Sequence, residues 1–196
     1  LGYAQKIFYY HLPVAWWDFV SFFFAALFAV LYLLKKEENF NIVSHANAEV
    51  GFLLATLTLI TGSLWGKHSW GVWWTWDPKL TTALILWFIF AAYLVIRTMP
   101  MPREQKNNIA AVIAIIGFLD VPLVFFATRL WRSIHPAVFH SEGGGLEPAM
   151  AHTVVFCVLS FAFIWLWLVR YRKQQLSQEL KLETLKTKLL YQEEQE

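Results

Sequence analysis

The chain has 196 residues, of which 58% are hydrophobic, 18% aromatic and only 15% charged. Soluble domains are about 45–50% apolar and about 25% charged, so the composition excludes an ordinary soluble domain and points to an all-α integral membrane protein. The net charge of +2 offers no broad basic surface for nucleic acid, and a single cysteine, Cys157, excludes an internal disulfide or a cysteine-based metal site.

A membrane helix needs about 20 mostly apolar residues to cross roughly 30 Å of hydrocarbon. The chain begins at Leu1, with neither Met nor a signal pattern, and we expect one further span upstream in the full gene product. In IFYYHLPVAWW, His11 stands two residues before Pro13. Proline is favoured in the first turn of a helix, which places His11 at the outer entrance of the first span, 14–34. That span stops at Lys35-Lys36-Glu37-Glu38, and His45 follows in NIVSHANAEV as a polar loop residue near a helix start. The second span covers 48–65.

Next comes WGKHSWGVWWTWDP, which holds five of the 11 tryptophans: Trp65, Trp70, Trp73, Trp74 and Trp76. Tryptophan carries a large apolar ring and one N–H donor, so a loop (65–79) dense in it is either a membrane-interface anchor or a platform for a flat apolar ligand. An interface belt would spread tryptophans over all the span ends, and their crowding in one loop favours the platform. Asp77 and Pro78 are placed to cap a helix starting near Lys79.

The third span, 80–97, ends before Met99-Pro100-Met101-Pro102. The fourth, 108–128, contains Asp120 just before Val121-Pro122; a carboxylate inside a span is costly and marks function or a backbone group freed by the proline. The loop 129–149 carries Arg129, Arg132, His135, His140 and Gly143-Gly144-Gly145, and the fifth span, 150–169, carries His152 near its start. Residues 1–169 thus form the membrane domain. Residues 170–196 read as an amphipathic tail helix with Leu176, Leu180, Leu185 and Leu189 as its stripe, widened by Leu182 and Leu190. The tail is either a solvated end helix or a docking element for a cytosolic partner.

Lys35, Lys36, Arg97, Arg103, Lys106, Arg170, Arg172 and Lys173 fall on one side of the five spans, against Lys67, Lys79, Arg129 and Arg132 on the other. The positive-inside rule puts the first group, and the C-terminus, in the cytoplasm. His11, the tryptophan loop and His135 then share the outer face.

Neutral imidazole is the commonest metal ligand and a haem axial ligand. His11 and His135 each stand near a proline among aromatics, and either alone reads as an interfacial polar residue. Together on one face they form a candidate pair, with His68, His140 and His152 as spares. A porphyrin supplies four nitrogens and asks for one or two axial groups, whereas structural zinc wants four ligands, usually including cysteine. Arg129 and Arg132 suit carboxylates such as haem propionates by charge-assisted hydrogen bonds, or else anchor the interface.

Trp70-Gly71-Val72-Trp73-Trp74-Thr75-Trp76-Asp77 resembles the WWD signature of a superfamily of haem-handling membrane proteins, which includes CcmC, the haem lyase CcmF and the synthase component CcsA. IFYYHLPVAW, LITGSLWGKHSWGVWWTWDPKLTTALILW and RLWRSIHP together resemble the CcmC family, over about residues 5–152. The resemblance implies six spans in the bacterial inner membrane, with the WWD loop periplasmic. It implies haem b handled against that loop (Trp65, Trp70, Trp73, Trp74, Trp76, Asp77), with His11 and His135 as axial candidates. It further implies delivery to the periplasmic haem chaperone CcmE during c-type cytochrome biogenesis, beside the ABC-transporter subunits CcmA and CcmB and the small subunit CcmD. Such a protein holds and presents haem and is not an enzyme in the strict sense. His68, His140 and His152 inherit no role. Two other readings stand beside it: a haem lyase of the CcmF or CcsA kind, whose relatives are longer, and a haem-free integral scaffold or transporter whose tryptophans bind lipid or a partner protein.

Overall fold

A computed structural model describes residues 4–135 and 146–193. They form five helices, α1 (Ala4–Lys35), α2 (Glu38–Trp70), α3 (Pro78–Thr98), α4 (Arg103–Leu130) and α5 (Pro148–Glu193), with no strand among the described residues. All five are long and apolar enough to cross a membrane. His140 and the Gly143–Gly145 run lie outside the described residues.

Every expected span is present, and every helix is longer than its apolar stretch. α1 has 32 residues, roughly 48 Å at 1.5 Å per residue, well beyond the hydrocarbon thickness. His11 is therefore not at a helix entrance. It lies inside α1, and Pro13 is an internal, fully buried proline rather than a first-turn residue. The apolar register of Ile7, Phe8 and Leu12 carries the helix back past the proline. His45 likewise stands within α2 rather than in a loop, with Nε2 3.2 Å from Glu49 one turn on. α2 starts at Glu38 because its polar first turns find partners: Ser44 Oγ donates to the Ala25 carbonyl at 2.7 Å, and Asn41 Oδ1 accepts from Arg97 at 2.7 Å. α5 continues through residues 169 and 170 without a break.

In lipid the hydrophobic effect does not drive helices together; close packing of small residues and interhelical hydrogen bonds do. The central cluster fits that rule. Ala25, Ala29, Ala48, Ala110 and Ala114 are buried between α1, α2 and α4, around the stacked rings of Phe22 and Phe90. Gly51 lies under Phe22 and Gly117 under Phe90, where a Cβ would stand 2.6 Å and 2.7 Å from the ring. α5 packs on α1 and α2. Trp165 stacks on Trp17 at 4.8 Å and donates to Ser21 Oγ, while Trp17 donates to the Val158 carbonyl.

The end opposite the tryptophans is tied by charge. Arg97 donates to Asn41 and Asn107, Arg103 meets Glu38 at 3.0 Å, and Arg172 of α5 pairs with Glu49 of α2. Of the tail stripe, Leu176 and Leu180 pack on Ile42 and Ala46, whereas Leu182, Leu185, Leu189 and Leu190 are exposed.

Candidate functional site

At the tryptophan end, α1 to α4 leave a cavity of about 150 Å³ between them. α1 contributes His11 and Asp18, α2 Thr58, Gly62, Trp65 and Trp70, α3 Lys79, and α4 Arg129; His135 reaches in from the connection after α4. The two candidate histidines, 124 positions apart in sequence, therefore line one space.

His11 Nδ1 lies 2.9 Å from Thr61 Oγ1 on α2. The imidazole edge passes over Gly62, where a Cβ would come within 3.1 Å of His11 Cε1. The ring of His135 is 6.2 Å from those of both Trp65 and Trp70, which meet each other edge to face.

The five tryptophans divide into two groups. α2 runs on through Trp70, so Trp65 and Trp70 are helical and wall the cavity. The helix then ends at Gly71, whose φ of 78° is left-handed and whose N–H bonds the Lys67 carbonyl. Glycine takes that conformation without the Cβ penalty of other residues. Trp73, Trp74 and Trp76 follow in the short connection to α3; Trp73 is 57% and Trp76 77% exposed, and Trp74 meets Trp76 edge to face. In place of a single flat platform of five rings, the expectation from sequence, stand two cavity-wall rings, two exposed rings (Trp73 and Trp76) and Trp74, half-buried with its Nε1 out of contact with solvent.

Asp77 is the N-cap of α3, accepting from Lys79 N at 3.0 Å, with Pro78 at the first helical position as expected. It does more than cap. Its Oδ1 also accepts from Ser133 Oγ at 2.9 Å and its Oδ2 from Ile134 N at 2.9 Å. Ser133 Oγ in turn accepts from His135 N at 3.0 Å. One carboxylate, only 8% exposed, thus fastens the segment bearing His135 to the start of α3.

Of the two candidate arginines, Arg129 lines the cavity, its guanidinium 5.8 Å from the Phe126 ring, while Arg132 is exposed and does not line it. Sequence reasoning missed Lys79 as a cavity residue. Its signal was position, two residues after the capping Asp77, which turns a first-turn side chain of α3 toward the space between the helices. His68 and His152 are exposed and line no part of the cavity. Asp120 is buried away from it, with Oδ2 lacking any hydrogen-bond partner.

A protein-family profile described as Heme exporter protein C, CcmC, matches residues 1–187. The chain belongs to the CcmC family. It is 30% identical over 184 residues to the heme exporter protein C of Haemophilus influenzae, covering 92% of this chain and 75% of that one. It is 32% identical over 164 residues to a putative cytochrome c biosynthesis ccmC-like mitochondrial protein of Marchantia polymorpha, covering 83% and 69%. The heme exporter protein C of Escherichia coli K12 is 26% identical over 163 residues, covering 83% and 66%. The CcmC match spans both histidine segments and the tryptophan segment of the cavity.

Proposed function

We propose that this CcmC-family protein binds haem b at the tryptophan end of its bundle and hands it on for c-type cytochrome maturation. The observation that carries the proposal is the meeting of His11 and His135 at one cavity walled by Trp65 and Trp70, with Lys79 and Arg129 beside them. Two imidazoles suit the axial positions of a haem iron. Aromatic walls suit the porphyrin face, and the two cations suit its propionates; exposed Arg132 is a propionate partner only outside the cavity. The relatives' names, heme exporter and cytochrome c biosynthesis protein, support the same reading.

The cavity is smaller than the roughly 300–1,000 Å³ typical of sites that enclose a drug-sized ligand. A haem held here would be only partly enclosed, leaving part of it accessible to a second protein. That open placement suits cargo that is passed on. In this reading the tryptophan end faces the periplasm and the C-terminus the cytoplasm of a bacterial inner membrane, which the excess of basic residues at the opposite end supports. The recipient is the haem chaperone CcmE, and the assembly includes the transporter subunits CcmA and CcmB and the small subunit CcmD. The protein holds haem and makes no bond to it beyond axial ligation.

Expression of the gene in a bacterium lacking its own family member tests this. Holo-cytochrome c should be restored, and His135→Ala should cut the yield at least tenfold with the protein still in the membrane. Undiminished yield in His135→Ala and His11→Ala would remove both from the site.

A further inference from the structure

The hydrogen bonds around His11 contain a choice of tautomer. Thr61 Oγ1 has one proton, and it lies 2.7 Å from the Leu57 carbonyl and 3.3 Å from the Thr58 carbonyl, neither of which can donate. With that proton given to the helix, the oxygen facing His11 acts as an acceptor. The hydrogen for the 2.9 Å contact then comes from Nδ1 of the imidazole. The Thr58 backbone carbonyl is a second acceptor for the ring N–H. A neutral imidazole has one N–H, so with that hydrogen at Nδ1 the Nε2 nitrogen keeps its lone pair. The next residue on α2, Gly62, clears the room in which the ring edge lies.

We propose that Thr61 is the positioning residue that holds His11 as the Nδ1–H tautomer and so presents Nε2 to the cavity as the metal-binding nitrogen, with Gly62 setting the plane of the ring. The proposal rests on the haem reading above and adds residues that reading does not use. Metal-ligating histidines ordinarily donate their second ring N–H to an oxygen acceptor, which fixes the tautomer and raises ligand basicity; loss of that acceptor costs about 10- to 100-fold in metal affinity. Thr61 lies on α2 and His11 on α1, so the same contact fixes the ligand relative to the cavity wall that carries Trp65. Thr61→Val keeps the side-chain shape and removes the acceptor; Thr61→Ser keeps the acceptor.

The test has two arms, both on the purified full chain in detergent. Nitrogen-15 NMR of the wild-type protein labelled at histidine, with His11→Ala to assign the signal, should show His11 protonated at Nδ1 above its titration range. Protonation at Nε2 overturns the proposal without any variant at Thr61. Haem titration followed in the visible spectrum should show Thr61→Val binding about 10- to 100-fold more weakly, with a shift from low-spin toward high-spin bands, and Thr61→Ser close to wild type. A wild-type affinity and spectrum in Thr61→Val, where His11→Ala changes both, overturns the positioning role and leaves the haem site standing. An unchanged spectrum in His11→Ala removes His11 as a ligand and the proposal with it.

Discussion

Asp77 shows how much one side chain can organise. Its carboxylate takes hydrogen bonds from Lys79 N, Ser133 Oγ and Ile134 N, so it caps a helix and pins the His135 segment at once. Leaving a buried donor unpaired costs about 1–3 kcal/mol, and these three, being part-buried, fall toward the low end of that range. Asp77→Ala should therefore lower the thermal unfolding midpoint and weaken haem binding, because His135 loses its tether. Asp77→Asn, which keeps one acceptor oxygen, should fall between Ala and wild type in both. A wild-type midpoint and haem affinity in Asp77→Ala would show that the pin is dispensable. Trp76, 77% exposed, offers the contrast: Trp76→Ala should leave the midpoint unchanged.

At the scale of the elements, packing depends on places where no side chain fits. A methyl at Gly51 meets Phe22 Cε1 at 2.6 Å and Ser21 Cβ at 3.0 Å. Phe22 is itself fully buried and stacked on Phe90, so it has nowhere to turn. Gly51→Ala should wedge α1 from α2 and cost about 1–3 kcal/mol, whereas Leu53→Ala on the exposed side should cost little. Thermal melts in detergent, followed by circular dichroism, check the pair; equal midpoints would contradict the close approach. The five spans were legible because an apolar run of that length has no other home. Their ends were not. Hydropathy marks where lipid stops, while α2 extends over Asn41 and Ser44, whose side chains bond Arg97 of α3 and the Ala25 carbonyl of α1. The same limit hid the helical state of His11 and Trp70. The convergence of His11 and His135 was readable from alternating topology and the resemblance. Lys79 was readable only through its place two residues after the Asp77 cap, and Thr61 was not, because its role comes from helix register and neighbouring carbonyls rather than from residue type.

Across the whole molecule, the two ends do different work. One end is locked by Arg97, Arg103 and Arg172 on buried or half-buried partners, and the other leaves a cavity, with Trp73 and Trp76 exposed in the connection after its wall helix α2. α5 joins the bundle along α1 and α2, through Trp165 at mid-length and Arg172 near the locked end. Arg172→Ala removes a charged partner from Glu49, so hydrogen exchange across residues 173–193 should accelerate while Trp165 stays packed on Trp17. Unchanged exchange there would mean that Leu176 and Leu180 hold the segment without the ion pair.

The proposed site is two histidines meeting one haem at the tryptophan end. The most direct measurement is the visible spectrum of the purified chain titrated with haem, for wild type, His11→Ala, His135→Ala and the exposed-site control His68→Ala. A haem-dependent Soret band is expected in wild type and in His68→Ala, shifted or weakened in each of the other two. Four identical spectra, or no haem-dependent band in any, would contradict it.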